Sequence, residues 1–388
     1  MALPDPKDRF EESVQSLIPK ILRFRCSNGV IDETLDMLMD MLPGITHRDI
    51  VREMLLVALK VGMESDSRAD LKLMNTTLKE MRYTTKVFAP YRGTRKVTVF
   101  GSARTRPEEA PYRMAQELGR ELAAQGHMVI TGGGPGIMQA VNEGAGPEHS
   151  FGIKIKLPFE ANANHVLTDN PRLINYKYFF NRKVALIKET DAVVLLPGGF
   201  GTLDEAMEVV TLVQTGKCPP MPLVLLEPAG GTYWSSKIDF LRRELLDYGY
   251  IDAADLDLFT ITSSVEDAID SIRNFYHRYH SMRFVGERLV IRLNSGLADG
   301  QLSRLGEDFS DILIPRGRIL QSDALPEEKT ETGLLDLPRH DRHGCDRLGA
   351  DLLEEGQITV VLDEHGTETG CLENLVVRGG PVDFPGPV

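Results

Sequence analysis

Residues 191–205 read Asp-Ala-Val-Val-Leu-Leu-Pro-Gly-Gly-Phe-Gly-Thr-Leu-Asp-Glu. The apolar run at 191–196 predicts a buried strand, Gly198, Gly199 and Gly201 predict a tight turn, and the residues after them predict a helix. Glycines let backbone N–H groups approach an anion closely, and a helix N-terminus adds partial positive charge. Asp204 and Glu205 are expected in the first helical turn, so two carboxylates would lie beside a predicted anion site.

A second glycine cluster, Thr131-Gly-Gly-Gly-Pro-Gly-Ile-Met138, also lies between a predicted strand and a predicted helix. In an open parallel sheet, ligands bind beyond the carboxyl ends of the strands. Gly132, Gly133 and Gly134 are therefore expected to line the same crevice as the first turn, with Gly101 and Ser102 at a third strand end. Neither cluster has the GxGxxG spacing with a later acidic residue, and no GxxxxGK[ST] loop occurs.

Short apolar runs alternate with helix-length segments between about residues 97 and 282. The predicted strands are 97–100, 128–131, 152–156, 192–196, 223–226 and 259–261, and the predicted helices are 108–125, 136–144, 176–189, 201–215, 233–247 and 265–279. This alternation predicts right-handed crossovers and a parallel, doubly wound, Rossmann-like α/β sheet covered on both faces.

The flanking segments differ in composition, and we predict three domains. Residues 1–92 carry apolar residues at helical spacing and predict a helical domain. The turn-rich stretch 83–96, at the boundary with the next segment, is expected to be a linker. Residues 93–282 form the sheet domain. Residues 283–388 predict a small α+β appendage, with strands at 288–294 and 357–362 and a partly irregular stretch between them.

The bulk composition limits the class of protein. The net charge of −13 argues against a general binder of nucleic acid, although a small anionic ligand remains compatible with it. The sequence contains no apolar run of about 20 residues that could span a bilayer. Its four cysteines are scattered and its N-terminus lacks a secretion signal, so we expect a cytoplasmic protein without membrane association.

The predicted helix before the first turn contains Arg182 and Lys183. That helix leads into the strand that carries the glycine turn, so both cations could face the crevice. Arginine offers a planar fork for phosphate or carboxylate, and lysine a point charge. The alternative is that both simply pair with surface carboxylates of an acidic protein.

Several of these motifs, taken in order, resemble a known family. Phe-Gly-Ser at 100–102, Gly-Gly-Gly-Pro-Gly-Ile-Met at 132–138, Arg-Lys at 182–183 and Pro-Gly-Gly-Phe-Gly-Thr-Leu-Asp-Glu at 197–205 are similar to the motifs of the LOG-type nucleotide phosphoribohydrolases, often mislabelled lysine decarboxylases. The resemblance covers about residues 96–280. In plant-type members Met-His precedes the Arg-Lys pair by one residue, where this chain has Phe179-Phe180-Asn181.

The resemblance implies hydrolysis of the N-glycosidic bond of a nucleoside 5′-monophosphate, such as AMP or a cytokinin ribotide, to free base and ribose 5-phosphate. It implies that Arg182 and Glu205 are catalytic. The 5′-phosphate would be held by Gly198, Gly199, Gly201 and Thr202, and the rest of the pocket would comprise Gly101, Ser102, Gly132, Gly133, Gly134, Lys183 and Asp204. It also implies a homodimer or a higher homo-oligomer.

Other interpretations remain open from the sequence. Glu205 could stabilise an oxocarbenium-like ribose or activate water, and Asp204 could serve the helix start instead of the chemistry. A protein that binds nucleotide or carries molybdenum cofactor without cleavage is the alternative function. An amino-acid decarboxylase is disfavoured, because no lysine lies in a recognisable pyridoxal-phosphate context.

We expect neither a metal nor a cofactor. His340, His343 and Cys345 are too closely spaced for a zinc site, and His277 and His280 are expected on a helix face.

Overall fold

The computed structural model describes residues 29–156, 163–285, 288–294, 297, 300–310, 319–321 and 356–361. The chain forms two compact units, residues 1–79 and residues 80–388. The predicted domain boundaries at 92/93 and 282/283 remain predictions.

The described part of the N-terminal unit, residues 29–79, is helical, as its apolar spacing predicts. It contains α1 (Val30–Asp40), α2 (Arg48–Glu64) and the first part of α3 (Arg68–Phe88). Arg52 on α2 pairs with Asp32 and Asp36 on α1, both at 2.7 Å, so these two helices are joined by an ion-pair network.

A seven-stranded parallel sheet forms the centre of the second unit. Its strands are β1 (Lys96–Phe100), β2 (Met128–Thr131), β3 (Ser150–Ile155), β4 (Leu173–Tyr176), β5 (Ala192–Leu195), β6 (Leu223–Leu226) and β7 (Thr260–Thr262). Their order is β4-β3-β2-β1-β5-β6-β7. Strands β2, β3 and β4 therefore follow one another on one side of β1, and β5, β6 and β7 follow one another on the other side. The predicted Rossmann-like α/β fold is confirmed.

Helices cover both faces of this sheet. They are α4 (Ala110–Ala124), α5 (Ile137–Ala145), α6 (Phe179–Lys188), α7 (Phe200–Gln214), α8 (Tyr233–Leu241) and α9 (Val265–Arg278). Two separate apolar cores result: α4, α5 and α9 contribute to one, and α6, α7, α8 and Phe88 of α3 contribute to the other. Because α6 and α7 cover the same face of the sheet, side chains on these two helices can contact each other.

The C-terminal segment adds a second, antiparallel sheet of four strands in the order β10-β11-β9-β8. Its elements are β8 (Tyr279–Val285), β9 (Arg288–Leu293), α10 (Gln301–Asp308), β10 (Ile319–Gln321) and β11 (Gly356–Val361). Leu289, Phe309 and Ile319 form a small separate core. This arrangement agrees with the predicted α+β appendage.

The structure differs from the predicted elements at several places. Residues 83–88 are the end of α3 and not a linker, because Thr84 and Phe88 are buried there. Strands β4, β8 and β10 were not predicted, and Tyr176, expected in a helix, is the last residue of β4. In the part of the chain that the structure describes, no helix combines the length and apolar character needed to span a membrane.

Candidate active site

Three loops meet at the carboxyl ends of the central strands. The strand order reverses between β1 and β5, and ligands of open α/β sheets bind at such a switch point. The N–H of Ser102, after β1, donates to the carbonyl of Pro197, after β5, at 3.1 Å, and the N–H of Ile137 donates to the carbonyl of Ser102 at 3.0 Å. The three predicted glycine-rich strand ends therefore lie side by side.

Gly198 is required by close packing within the turn after β5. A Cβ atom at this position would lie 2.1 Å from the hydroxyl of Thr202, which is buried in the first turn of α7. Among the residues that the structure describes, a Cβ at Gly199 or Gly201 would instead meet no atom within 4 Å. The turn is thus packed tightly on its inner side and open at Gly199 and Gly201, where an anion could approach.

Tyr233, on α8, fixes the orientation of this turn. Its hydroxyl donates to the carbonyl of Gly198 at 2.6 Å. Because the C=O and N–H of a trans peptide point in opposite directions, the N–H of Gly199 points away from Tyr233. The tyrosine is anchored in turn, since its own N–H donates to the buried carboxylate of Glu227 at 2.6 Å. No sequence motif pointed to Tyr233.

The glycines after β2 make room for an arginine. A Cβ at Gly132 would lie 2.9 Å from a guanidinium nitrogen of Arg182, and Gly133 has a φ of 71°, a region that favours glycine. The Asn164 N–H donates to the Gly133 carbonyl at 3.0 Å, and its side-chain amide donates to the Gly134 carbonyl at 3.1 Å. Asn164 was also missed, because it lies outside every recognised motif.

Arg182 and Glu205 form the centre of the site. The arginine Nη1 lies 3.4 Å from a carboxylate oxygen of Glu205, and each side chain is only 13% exposed. The arginine Nε also donates to the carbonyl of Ile153 at the end of β3, at 3.0 Å. The guanidinium is therefore held between the sheet and α7, and it faces the carboxylate at low exposure.

Burial raises the pKa of Glu205 from 4.5 to about 7, and the nearby charge of Arg182 only partly opposes this rise. A carboxyl group with a pKa near neutrality exists in both protonation states at physiological pH. Such a group is suited to proton transfer, and a strongly perturbed carboxyl in a cleft is a common mark of a functional site.

Lys183 and Asp204 form a second cross-link between α6 and α7. Lys183 Nζ lies 3.0 Å from a carboxylate oxygen of Asp204 and 3.1 Å from one of Glu208. Burial lowers the pKa of Lys183, but these two carboxylates outweigh it and raise the pKa overall. Because α7 begins at Phe200, Asp204 and Glu205 lie in its second turn, so the expected first-turn position was wrong.

The possible metal ligands are only partly covered by the structure. His277 lies on α9, whereas His280 lies on β8 and not on a helix. His340, His343 and Cys345 fall outside the described residues. Among the residues that are described, no group of three or more His, Cys, Asp or Glu side chains could hold a metal ion.

The fold and the site together define a Rossmann-like α/β protein with a glycine-lined crevice and a buried arginine–glutamate pair. Residues 137–272 match the family model described as possible lysine decarboxylase. The chain is 27% identical over 173 residues to cytokinin riboside 5′-monophosphate phosphoribohydrolase LOG1 of Arabidopsis thaliana, which covers 43% of this chain and 78% of that protein. It is 28% identical over 188 residues to the LOG3 protein of the same plant, covering 47% and 83%.

These matches concern the core domain only, which is similar in sequence to the LOG phosphoribohydrolases. Among solved structures, the molybdenum cofactor binding protein from Rippkaea orientalis is 21% identical, covers 47% of this chain and 97% of that chain, and superposes with a TM-score of 0.35.

Proposed function

We propose that the protein hydrolyses the N-glycosidic bond of nucleoside 5′-monophosphates, of the AMP or cytokinin ribotide type, to the free base and ribose 5-phosphate. The observation that carries the proposal is the buried pair of Arg182 and Glu205, 3.4 Å apart, beside glycine-rich turns at the switch point of the sheet. The relatives named as phosphoribohydrolases support the same reaction class.

The phosphate would bind at the turn after β5. The open space at Gly199 and Gly201 allows an anion to reach the backbone N–H groups that begin α7, where the helix dipole favours negative charge. Gly198 and Thr202 would shape this turn from its packed side. Binding the phosphate there would place the ribose near Glu205, so that binding energy serves orientation of the reacting carbon.

The reaction would proceed by displacement at the anomeric carbon. The bond between this carbon and the base nitrogen breaks, its electron pair leaves with the base, and a water oxygen bonds to the carbon. In its ionised form Glu205 would accept a proton from that water and stabilise the positive charge that develops on the ribose. Arg182 would orient the ribose or the phosphate, and the departing base takes up a proton.

The proposal includes self-association in the cytoplasm as a homodimer or higher homo-oligomer. Large apolar side chains beside the site are exposed on α6 and α7, most of all Phe200, which is 93% exposed, together with Phe179, Phe180 and Val184. Exposed large apolar side chains of this kind support a protein–protein contact. Light scattering coupled to size-exclusion chromatography measures the assembly directly.

Incubation with AMP, GMP, CMP and a cytokinin ribotide, followed by chromatography of the products, tests the reaction. We expect free base and ribose 5-phosphate in equal amounts from at least one purine monophosphate. Adenosine is the matched control, since it lacks only the phosphate, and its kcat/KM should be lower by about 100-fold or more. Recovery of every nucleotide intact, with measurable binding, would favour a non-catalytic nucleotide or molybdenum-cofactor carrier.

A further inference from the structure

Glu80 joins α3 to the start of the helix that carries Arg182. One of its carboxylate oxygens accepts the backbone N–H of Lys177 at 2.6 Å, and the other accepts the side-chain amide N–H of Asn181, also at 2.6 Å. Glu80 lies outside the segment that the family model matches, residues 137–272. It is also absent from every motif of the sequence analysis.

The two hydrogen bonds tie the start of α6 to α3 without capping the helix, since one goes to the backbone N–H of Lys177, before the N-cap residue, and the other to the side chain of Asn181. The residue before this helix, Tyr178, makes no side-chain hydrogen bond to cap it. A carboxylate beside a helix N-terminus is favourable, because the free N–H groups there carry partial positive charge. Asn181 is only 1% exposed, so its amide N–H would be buried without an acceptor if Glu80 were removed.

The helix that presents Glu80 is itself fixed to the sheet. Thr84 hydrogen-bonds to the hydroxyl of Tyr176 at the end of β4. Phe88 stacks on Phe151 of β3 with ring centroids 4.3 Å apart. The carboxylate of Glu80 therefore has a rigid support one and two helical turns away.

We propose that Glu80 is a positioning residue for Arg182. Asn181 directly precedes Arg182, whose guanidinium must reach both the Ile153 carbonyl and Glu205 from one fixed backbone position. Loss of the hydrogen bonds from Glu80 releases the first turn of α6 and moves the guanidinium relative to Glu205. The inference rests on the proposed function for its kinetic readout.

Glu80→Gln tests this role with little change in shape. One carboxylate oxygen becomes an NH₂ group, so a donor faces either the Lys177 N–H or the Asn181 amide. We expect kcat to fall about 10- to 100-fold, as for a misplacement of about 1 Å, while KM changes by less than about threefold. Glu53→Gln, the same change at an exposed position of α2, is the control and should leave kcat unchanged.

The combination of Glu80→Gln with Asn181→Asp separates positioning from a general loss of stability. The new amide donates to the new carboxylate and its oxygen still accepts the Lys177 N–H, so both hydrogen bonds return with the net charge unchanged. We expect kcat within about threefold of wild type, whereas Asn181→Asp alone, with two facing carboxylates, should be impaired. A double variant as slow as Glu80→Gln would overturn the proposal.

Hydrogen exchange in the peptide spanning 176–188 measures the same effect without activity. We expect exchange at least about tenfold faster in Glu80→Gln and restored in the double variant. Unchanged exchange in Glu80→Gln would overturn the positioning role. If exchange responds as expected but the wild type cleaves no nucleotide, then the proposed function fails while the link between Glu80 and α6 stands.

Discussion

At the scale of single residues, Glu205 is the group whose chemistry depends most on its surroundings. The motif at 197–205 predicted its place beside a glycine turn but not its protonation behaviour. Only the structure shows that burial outweighs the adjacent Arg182 and raises the pKa to about 7. Desolvation depends on side chains that are distant in sequence, so a local motif cannot reveal it.

The raised pKa makes the stability of the protein depend on pH. The folded protein binds a proton at Glu205 more tightly than the unfolded chain does, so this carboxyl stabilises the fold at low pH and loses that contribution as pH rises through about 7. Glu205→Gln should therefore raise the free energy of unfolding at pH 8 by about 1–3 kcal/mol. At pH 4.5 the two proteins should differ little.

Urea denaturation at the two pH values measures this difference. A variant that is no more stable than wild type at pH 8 would contradict the inferred cost of burying the charged carboxylate of Glu205. An equal gain at both pH values would indicate a packing effect instead of a lost ionisation.

At the scale of elements, the turn between β5 and α7 is held in place by hydrogen bonds from residues that are distant in the sequence. Tyr233 of α8 and Ser102 after β1 each hydrogen-bond to its carbonyl groups. The glycines predicted that a turn lies here, since few other residues allow such close packing. They could not predict which distant residues hold it.

Two alanine substitutions in this turn should have different effects. Gly198→Ala places a methyl group against the buried Thr202 and should lower the free energy of unfolding by about 1–3 kcal/mol. Gly199→Ala enters open space and should cost less than about 1 kcal/mol, but it should raise KM for the monophosphate because the methyl group lies where phosphate is proposed to bind.

Thermal unfolding and steady-state kinetics of both variants distinguish these effects. Similar losses of stability would contradict the packing described at Gly198. An unchanged KM in Gly199→Ala would indicate that the phosphate does not bind at the open side of the turn.

The elements that the sequence did not predict have separate physical causes. Strand β4, Leu-Ile-Asn-Tyr, contains an exposed polar residue and ends at Tyr176, which the sequence analysis placed in the following helix. The last six residues of α3, Tyr83-Thr-Thr-Lys-Val-Phe88, are mostly of low helix propensity. Their burial against the sheet stabilises the helix there, which is a tertiary effect.

At the scale of the whole second unit, topology brings the chemistry together. Arg182 and Glu205 are 23 residues apart, on consecutive helices that cover the same face of the sheet. The sequence predicted that the glycine-rich motifs line one crevice, because each follows a strand and the carboxyl ends of parallel strands lie at the same edge of the sheet. The contributions of Asn164, Tyr233 and Glu80 could not be predicted, since their contacts arise only from the packed arrangement.

The central claim is that Glu205, held beside Arg182, cleaves the bond between ribose and base. The most direct measurement compares the wild type and Glu205→Gln for AMP binding by calorimetry and for adenine release by chromatography, with Glu117→Gln on the exposed side of α4 as the control. We predict that Glu205→Gln binds AMP within about threefold of the wild-type affinity and releases adenine at least about 1,000-fold more slowly. Adenine release by Glu205→Gln at the wild-type rate would contradict the account.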